Sequence, residues 1–155
     1  MANQDSLRLD LRRFPSICGE KQERIVSRDS QHPYRHIANN PGGKSHVRHY
    51  HIDGDILPRG KPPKKCDFIL FNDTASTAYL IELKGQFCHM DPEQMDSTER
   101  VFRDSLTGYK IRYRFVTGKA GVKSSSFRVW ERRKPKGTVV CEVGKGPNQS
   151  YEETI

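Results

Sequence analysis

Several protein classes are excluded by what this sequence has little of. Its four cysteines, Cys18, Cys66, Cys88 and Cys141, are scattered and form no C-x-x-C pair. That argues against a zinc knuckle or a thiol redox motif, and free thiols in a reducing cytoplasm fit the pattern. No apolar run approaches the ~20 residues of a membrane span, so no membrane partner is expected. The opening residues MANQDSLRLD lack the apolar core of a signal peptide, and a cytoplasmic location is the expectation. There is no internal repeat and no linker that would divide domains. Acidic residues are also scarce, with 19 Asp and Glu against 27 Lys and Arg, for a net charge of +8. A cationic surplus of this size favours a polyanionic partner, nucleic acid before an anionic membrane face.

The 155 residues suit one domain with its own core. Residues 1–145 are expected to form it, and residues 146–155 to be a mobile tail. Residues 1–30 carry short helical signals, with Leu7, Leu9, Leu11 and Phe14 ahead of Pro15 and a weaker run through Glu20, Glu23 and Ile25. QHPYRHIANNPGGKS reads as a loop. HVRHYHI alternates like a strand, with Val47, His49 and His51 on one face and the histidines partly exposed. DGDILPRGKPPKK, residues 53–65, is turn chemistry and a basic loop.

The stretch CDFILFNDTASTAYLIELKG then holds two apolar runs, Asp67 to Phe71 and Ala78 to Leu83, joined by the turn Asn72 to Thr77. An antiparallel hairpin centred on that turn sets Asp67 opposite Glu82, and Lys84 shares the face of Glu82 because side chains repeat with period two. DPEQ, Asp91 to Gln94, is a helix start: Asp91 can cap, Pro92 suits the first position, and Gln94 follows three after the cap. Met95, Thr98, Val101, Phe102 and Leu106 form a buried stripe, and Gly108 a stop. YKIRYRFV, SFRVWERR and TVVCEV read as three further strands, with Tyr113, Phe115 and Trp130 facing the core.

Two carboxylates on adjacent strands make a hard-oxygen site suited to Mg²⁺ or Mn²⁺. Such an ion polarises a phosphoryl oxygen, and a lysine beside it offsets charge that develops on phosphate. The backbone oxygen of Leu83 can complete the coordination. A cation and an ammonium would thus explain charge inside apolar strands, which is otherwise costly. The competing reading is an ordinary edge-strand ion pair of Glu82 with Lys84, with Asp67 in a turn.

In Asp67, Glu82 and Lys84 (an aspartate, then fifteen positions on an E-L-K run) the chain resembles the PD-(D/E)xK nuclease superfamily. Cys66 stands where that family has a proline. The resemblance covers roughly residues 20–116. It implies an α/β fold with a restriction-endonuclease-like core, a central mixed β-sheet flanked by helices, and a metal-dependent nuclease that hydrolyses phosphodiester bonds. It also implies roles: Asp67, Glu82 and the Leu83 carbonyl as Mg²⁺ or Mn²⁺ ligands, Lys84 as the group that positions water, Gln94 as an assistant, and a further acid from the first helix, either Glu20 or Glu23. Lys64, Lys65, Arg112 and Arg114 are candidates for nucleic-acid contacts, as are Arg128, Arg132 and Arg133. DNA is favoured over RNA, and a homodimer or a place in a larger assembly fits the family. Two other classes stay open: a non-catalytic nucleic-acid-binding module, and a small regulatory protein that meets an acidic partner.

Overall fold

A computed structural model describes residues 6–155; the first five positions of the expected helical stretch lie outside the described residues. The chain is α/β. Its strands are β1 (Arg24–Arg28), β2 (Arg35–Asn39), β3 (Val47–His51), β4 (Phe68–Asn72), β5 (Thr77–Gln86), β6 (Lys110–Lys119), β7 (Val139–Val143) and β8 (Ser150–Thr154). Its helices are α1 (Pro92–Val101), α2 (Arg103–Leu106) and α3 (Ser125–Arg132). Five strands form a sheet in the order β3-β4-β5-β6-β7, and three form a smaller sheet in the order β1-β2-β8.

The large sheet is mixed. β3, β4 and β5 run antiparallel, while β6 and β7 join parallel after helical crossovers. The β4–β5 hairpin pairs Phe68 with Ile81 and Asn72 with Thr77. Its turn is built by Asn72, whose side-chain oxygen accepts the amide of Ala75 at 3.0 Å, as short polar side chains do in Asx turns. β5 is buried on both faces, which is why it reads as an almost unbroken apolar run. Ala78 and Leu80 enter a core shared with the helices, through Met95, Phe102, Phe115 and Phe127. Tyr79, Ile81 and Leu83, with Val116 of β6, face the small sheet, where Ile25 and Ala38 meet them. By the same parity Glu82 and Lys84 point to the helical side.

α1 follows the sequence expectation. The side chain of Asp91 accepts the amide of Glu93 at 3.0 Å, Pro92 opens the helix, and Met95, Thr98, Val101, Phe102 and Leu106 are buried. Phe102 separates α1 from the single turn α2, and Gly108 takes a positive φ of 89° at the stop.

Five expectations are corrected. Residues 125–132 form a helix, not a strand: Ser124 caps it by accepting the amide of Phe127 at 3.1 Å, and Phe127 and Trp130, three apart, turn the same side inward. Their rings meet Phe115 and Tyr113 edge-on, at centroid distances of 5.1 and 4.9 Å. The region around Glu20 to Ile25 is not helical; a turn there leads into β1. The loop expected over residues 31–45 contains β2. The expected mobile tail contains β8, which pairs parallel with β2, Ile37 opposite Glu152. His49 is buried rather than partly exposed, bonded to Ser27 Oγ at 2.9 Å, and burial pushes its pKa down to about 3.

Glu153 of β8 fastens the small sheet to the large one. It accepts from Arg114 Nε at 2.6 Å, from Arg114 Nη2 at 3.0 Å and meets His36 Nε2 at 2.8 Å. Burial opposes its ionisation, but these bonds prevail and hold its pKa at about 2. Glu153→Gln, which leaves the buried Arg114 uncompensated, is expected to cost about 3 kcal/mol by urea unfolding. Because the pKa of Glu153 lies below its ordinary 4.5, its contribution is present above pH 4.5 and lost as pH falls toward about 2. The variant should therefore lose less stability than the wild type across that interval.

Candidate functional site

The charged cluster lies where β4 begins and β5 runs on past it. Asp67, just before β4, continues the hairpin register and faces Glu82. Its amide donates to Ile81 O at 3.0 Å, its carbonyl accepts from Ile52 N at 2.8 Å, and its Oδ2 accepts from Leu83 N at 2.8 Å. Three strands thus hold one aspartate. The N–H and C=O of a strand residue point to the same side, so the Leu83 carbonyl also faces the Asp67 side.

Asp67 is 5% exposed and Glu82 2% exposed. Burial raises the pKa of Asp67, against the opposing effect of bonds to Glu82 and to the Leu83 amide. Burial and then the neighbouring Asp67 push Glu82 well above the usual carboxylate range, and Lys84 offsets only part of this. Glu82 Oε1 lies 3.9 Å from Lys84 Nζ, while Glu82 Oε2 is buried with no hydrogen-bond partner among the described residues. An unpartnered, buried carboxylate oxygen is costly, and a hard cation is a chemically suitable partner for it. Among the described residues no group of three or more His, Cys, Asp or Glu side chains is arranged to hold an ion. The donor set on offer is therefore two carboxylates and the Leu83 carbonyl.

α1 is stapled to the chain entering Asp67. Thr98 Oγ1 accepts from Cys66 N at 2.8 Å and donates to Gln94 O at 2.6 Å. Gln94 Nε2 donates to Lys65 O at 3.3 Å, and its Oε1 is buried without a partner. Gln94 is therefore bound to the backbone two residues upstream of Asp67 and keeps a free acceptor. Burial pushes the Cys66 thiol up, so it is a packing group and not a nucleophile.

Other sequence candidates lie elsewhere. Glu20 is exposed and pairs with His46 at 2.8 Å; its carbonyl accepts from Val47 N, and it shares a cleft of about 570 Å³ with Arg48 and Asp73 at the opposite end of β3 and β4. Glu23 is exposed and precedes β1 at the end remote from Asp29. Neither joins the carboxylate pair, because the segment expected to be a first helix is a turn and a strand. Arg114 is buried on Glu153 and is not free for phosphate. Lys65 is buried too, its ammonium donating to Lys61 O at 2.6 Å and lying 3.3 Å from Asp53. Lys64 is exposed but bonded to Asp91 and Glu93 at 2.8 and 2.9 Å. Arg112 stays half-buried, across from Tyr79 of β5.

Two acids at the site escaped the sequence reading. Asp29, at the end of β1, is 3% exposed and bridged to Arg59 at 3.1 Å, and its charge is felt by Asp67. Asp53 accepts from Gly60 N at 3.0 Å and acts on Glu82. Together with Lys65 they fold the 53–65 loop against the cluster. The only available signal was the acid-rich D-G-D run, which turn chemistry explained equally well.

Compared with protein-family models, with curated proteins and with solved structures, the chain matches none. Among the described residues no helix is long and apolar enough to cross a membrane.

Two neighbouring lysines should behave differently. Lys65→Met is expected to destabilise the protein by about 2 kcal/mol in urea unfolding, since it removes the buried ammonium that ties Lys61 O to Asp53. Lys64→Met, an exposed change, should leave the unfolding midpoint unchanged.

Proposed function

We propose that this chain is a divalent-cation-dependent nuclease with a restriction-endonuclease-like core. The observation that carries the reading is the buried Asp67–Glu82 pair, with an unpartnered Glu82 oxygen and the Lys84 ammonium beside it. A structural ion pair accounts for Glu82 and Lys84 alone. It leaves the unpartnered Glu82 Oε2 without a reason, since the opposite carboxyl of Asp67 is spent on the Leu83 amide. The order of elements supports the same reading: an antiparallel β3-β4-β5 meander, the α1 crossover, then parallel β6.

Asp67, Glu82 and the Leu83 carbonyl would hold Mg²⁺ or Mn²⁺. The ion supplies Lewis-acid polarisation of a phosphoryl oxygen when bound. Lys84, 28% exposed at its side chain, is reachable from solvent and can donate to an attacking water or to a phosphate oxygen. The free Oε1 of Gln94 can accept from that water and so fix its orientation. The substrate is a phosphodiester backbone, with DNA as the first choice.

Asp67→Asn and Lys84→Ala should each lower Mn²⁺-dependent cleavage of a labelled DNA and RNA panel by at least about 100-fold, with circular dichroism unchanged. Undiminished cleavage in both variants would remove the assignment. Mn²⁺ should raise the melting temperature of the wild type, as a ligand of the folded state does, and leave that of Asp67→Asn unmoved. Nucleic-acid binding without any Mn²⁺-dependent cleavage would instead favour a non-catalytic binding module.

A further inference from the structure

We propose that the crossover between β6 and β7, residues 119–137, is the surface along which the phosphodiester backbone lies, with Arg128, Arg132 and Arg133 as its phosphate contacts. This rests on the nuclease reading and adds to it the binding face. The crossover contains Lys119, Lys123, Arg128, Arg132, Arg133, Lys134 and Lys136 against the single acid Glu131. It thus holds a net +6 of the chain's +8.

Two of its cations are engaged. Lys123 pairs with Glu131 at 3.0 Å, and Lys134 lies over the Tyr113 and Trp130 rings and 3.9 Å from Asp96. Lys119, Arg128, Arg132, Arg133 and Lys136 are exposed. None of the ion pairs among the described residues includes Arg128, Arg132 or Arg133. Arg128 and Arg132 stand i, i+4 on α3, a like-charge spacing that weakens a helix. Cations in a last helical turn are favoured by the helix dipole, which accounts for Arg132 but not for Arg128 in the middle of the helix. A helix this short, held by Phe127 and Trp130, gains nothing from that repulsion unless an anion relieves it.

Position adds the second argument. β5 and β6 are parallel and end at the same sheet edge, with Lys84 opposite Thr117 and Gln86 opposite Lys119. The basic crossover therefore departs from the strand end that carries Lys84. From there α3 runs back along β6, Phe127 against Phe115 and Trp130 against Tyr113, so a phosphate chain seated at Lys84 meets Lys119 and Arg128 before Arg132 and Arg133. At about 1.5 Å per residue, Arg128 and Arg132 stand about 6 Å apart along α3, close to two nucleotide steps of about 3.4 Å on the duplex axis. An acidic protein has no such regular spacing of charge, and the phosphodiester backbone is the fitting partner.

The test is binding of the full chain to a fluorescent DNA duplex by anisotropy, in EDTA so that no metal-dependent cleavage occurs, between about 50 and 200 mM salt. R128Q/R132Q/R133Q is expected to lower the slope of log affinity against log salt by about 2 to 3, and R128Q alone by about 0.9. R12Q/R13Q/K21Q, exposed cations at the opposite end of the sheet, should change it by less than about 1. An unchanged slope in the α3 triple variant overturns the proposal, as does an equal loss in the control. So does absence of duplex binding by the wild type, or equal competition by polyglutamate. Wild-type Mn²⁺-dependent cleavage is measured in parallel. Cleavage with an unaltered slope sinks the binding face and spares the nuclease reading; α3-dependent binding without cleavage does the reverse.

Discussion

Two acids face each other across an antiparallel pair where both are almost wholly buried. That constraint organises the rest of the chain. Asp67 and Glu82 are brought together by the register of the β4–β5 hairpin, and the register is set by the Asn72 turn. A slip of one residue would send Glu82 to the opposite face of the sheet and Asp67 out of step with the Leu83 amide. The burial of both sheet faces forbids such a slip, because Leu80 and Ile81 would exchange cores. The apolar pattern of the hairpin therefore does more than form a core. It fixes the distance between two carboxyls that would repel each other if both were ionised.

Support for that pair comes from every side. α1 holds the entering strand through Thr98 and Gln94, and the 53–65 loop is closed over it by Lys65, Asp53 and the Arg59–Asp29 bridge. The flanking acids Asp29 and Asp53 add to the negative field but carry their own cations, Arg59 and Lys65, while Lys84 is the cation beside Glu82. The balance is negative at the cluster and positive on the nearby α3 face. A polyanion would be attracted by the second and would need a cation at the first.

The hairpin and α1 were legible in the sequence because each has a local signature: continuous apolar runs around a polar turn, and an Asp-Pro start followed by a stripe of buried residues. α3 was not, since Phe127, Val129 and Glu131 alternate like a strand. Only Ser124 and the spacing of Phe127 from Trp130 favour the helix. β1 and β2 are short and polar and form a local antiparallel pair hidden by loop-like composition, while β8 owes its existence to pairing with β2 across a long separation that no local pattern records. The carboxyls and Lys84 could be named from spacing. Arg114 and Lys65 could not be placed, because the partners that bury them, Glu153 and Asp53, lie 39 and 12 positions away. A cation in a basic sequence looks exposed until its acid is found.

The pairing of β2 with β8 joins His36 to Tyr151 across more than a hundred intervening residues. Loop-closure entropy rises only slowly with such a length, so distance does not forbid the contact. What it does is remove independence. If β8 were to peel away, Arg114 would stay buried over the Tyr79 ring with no carboxylate beside it, in the middle of the large sheet. Fraying of the last strand is thereby tied to disruption of β6, and the two sheets should open in native-state hydrogen exchange as one cooperative unit.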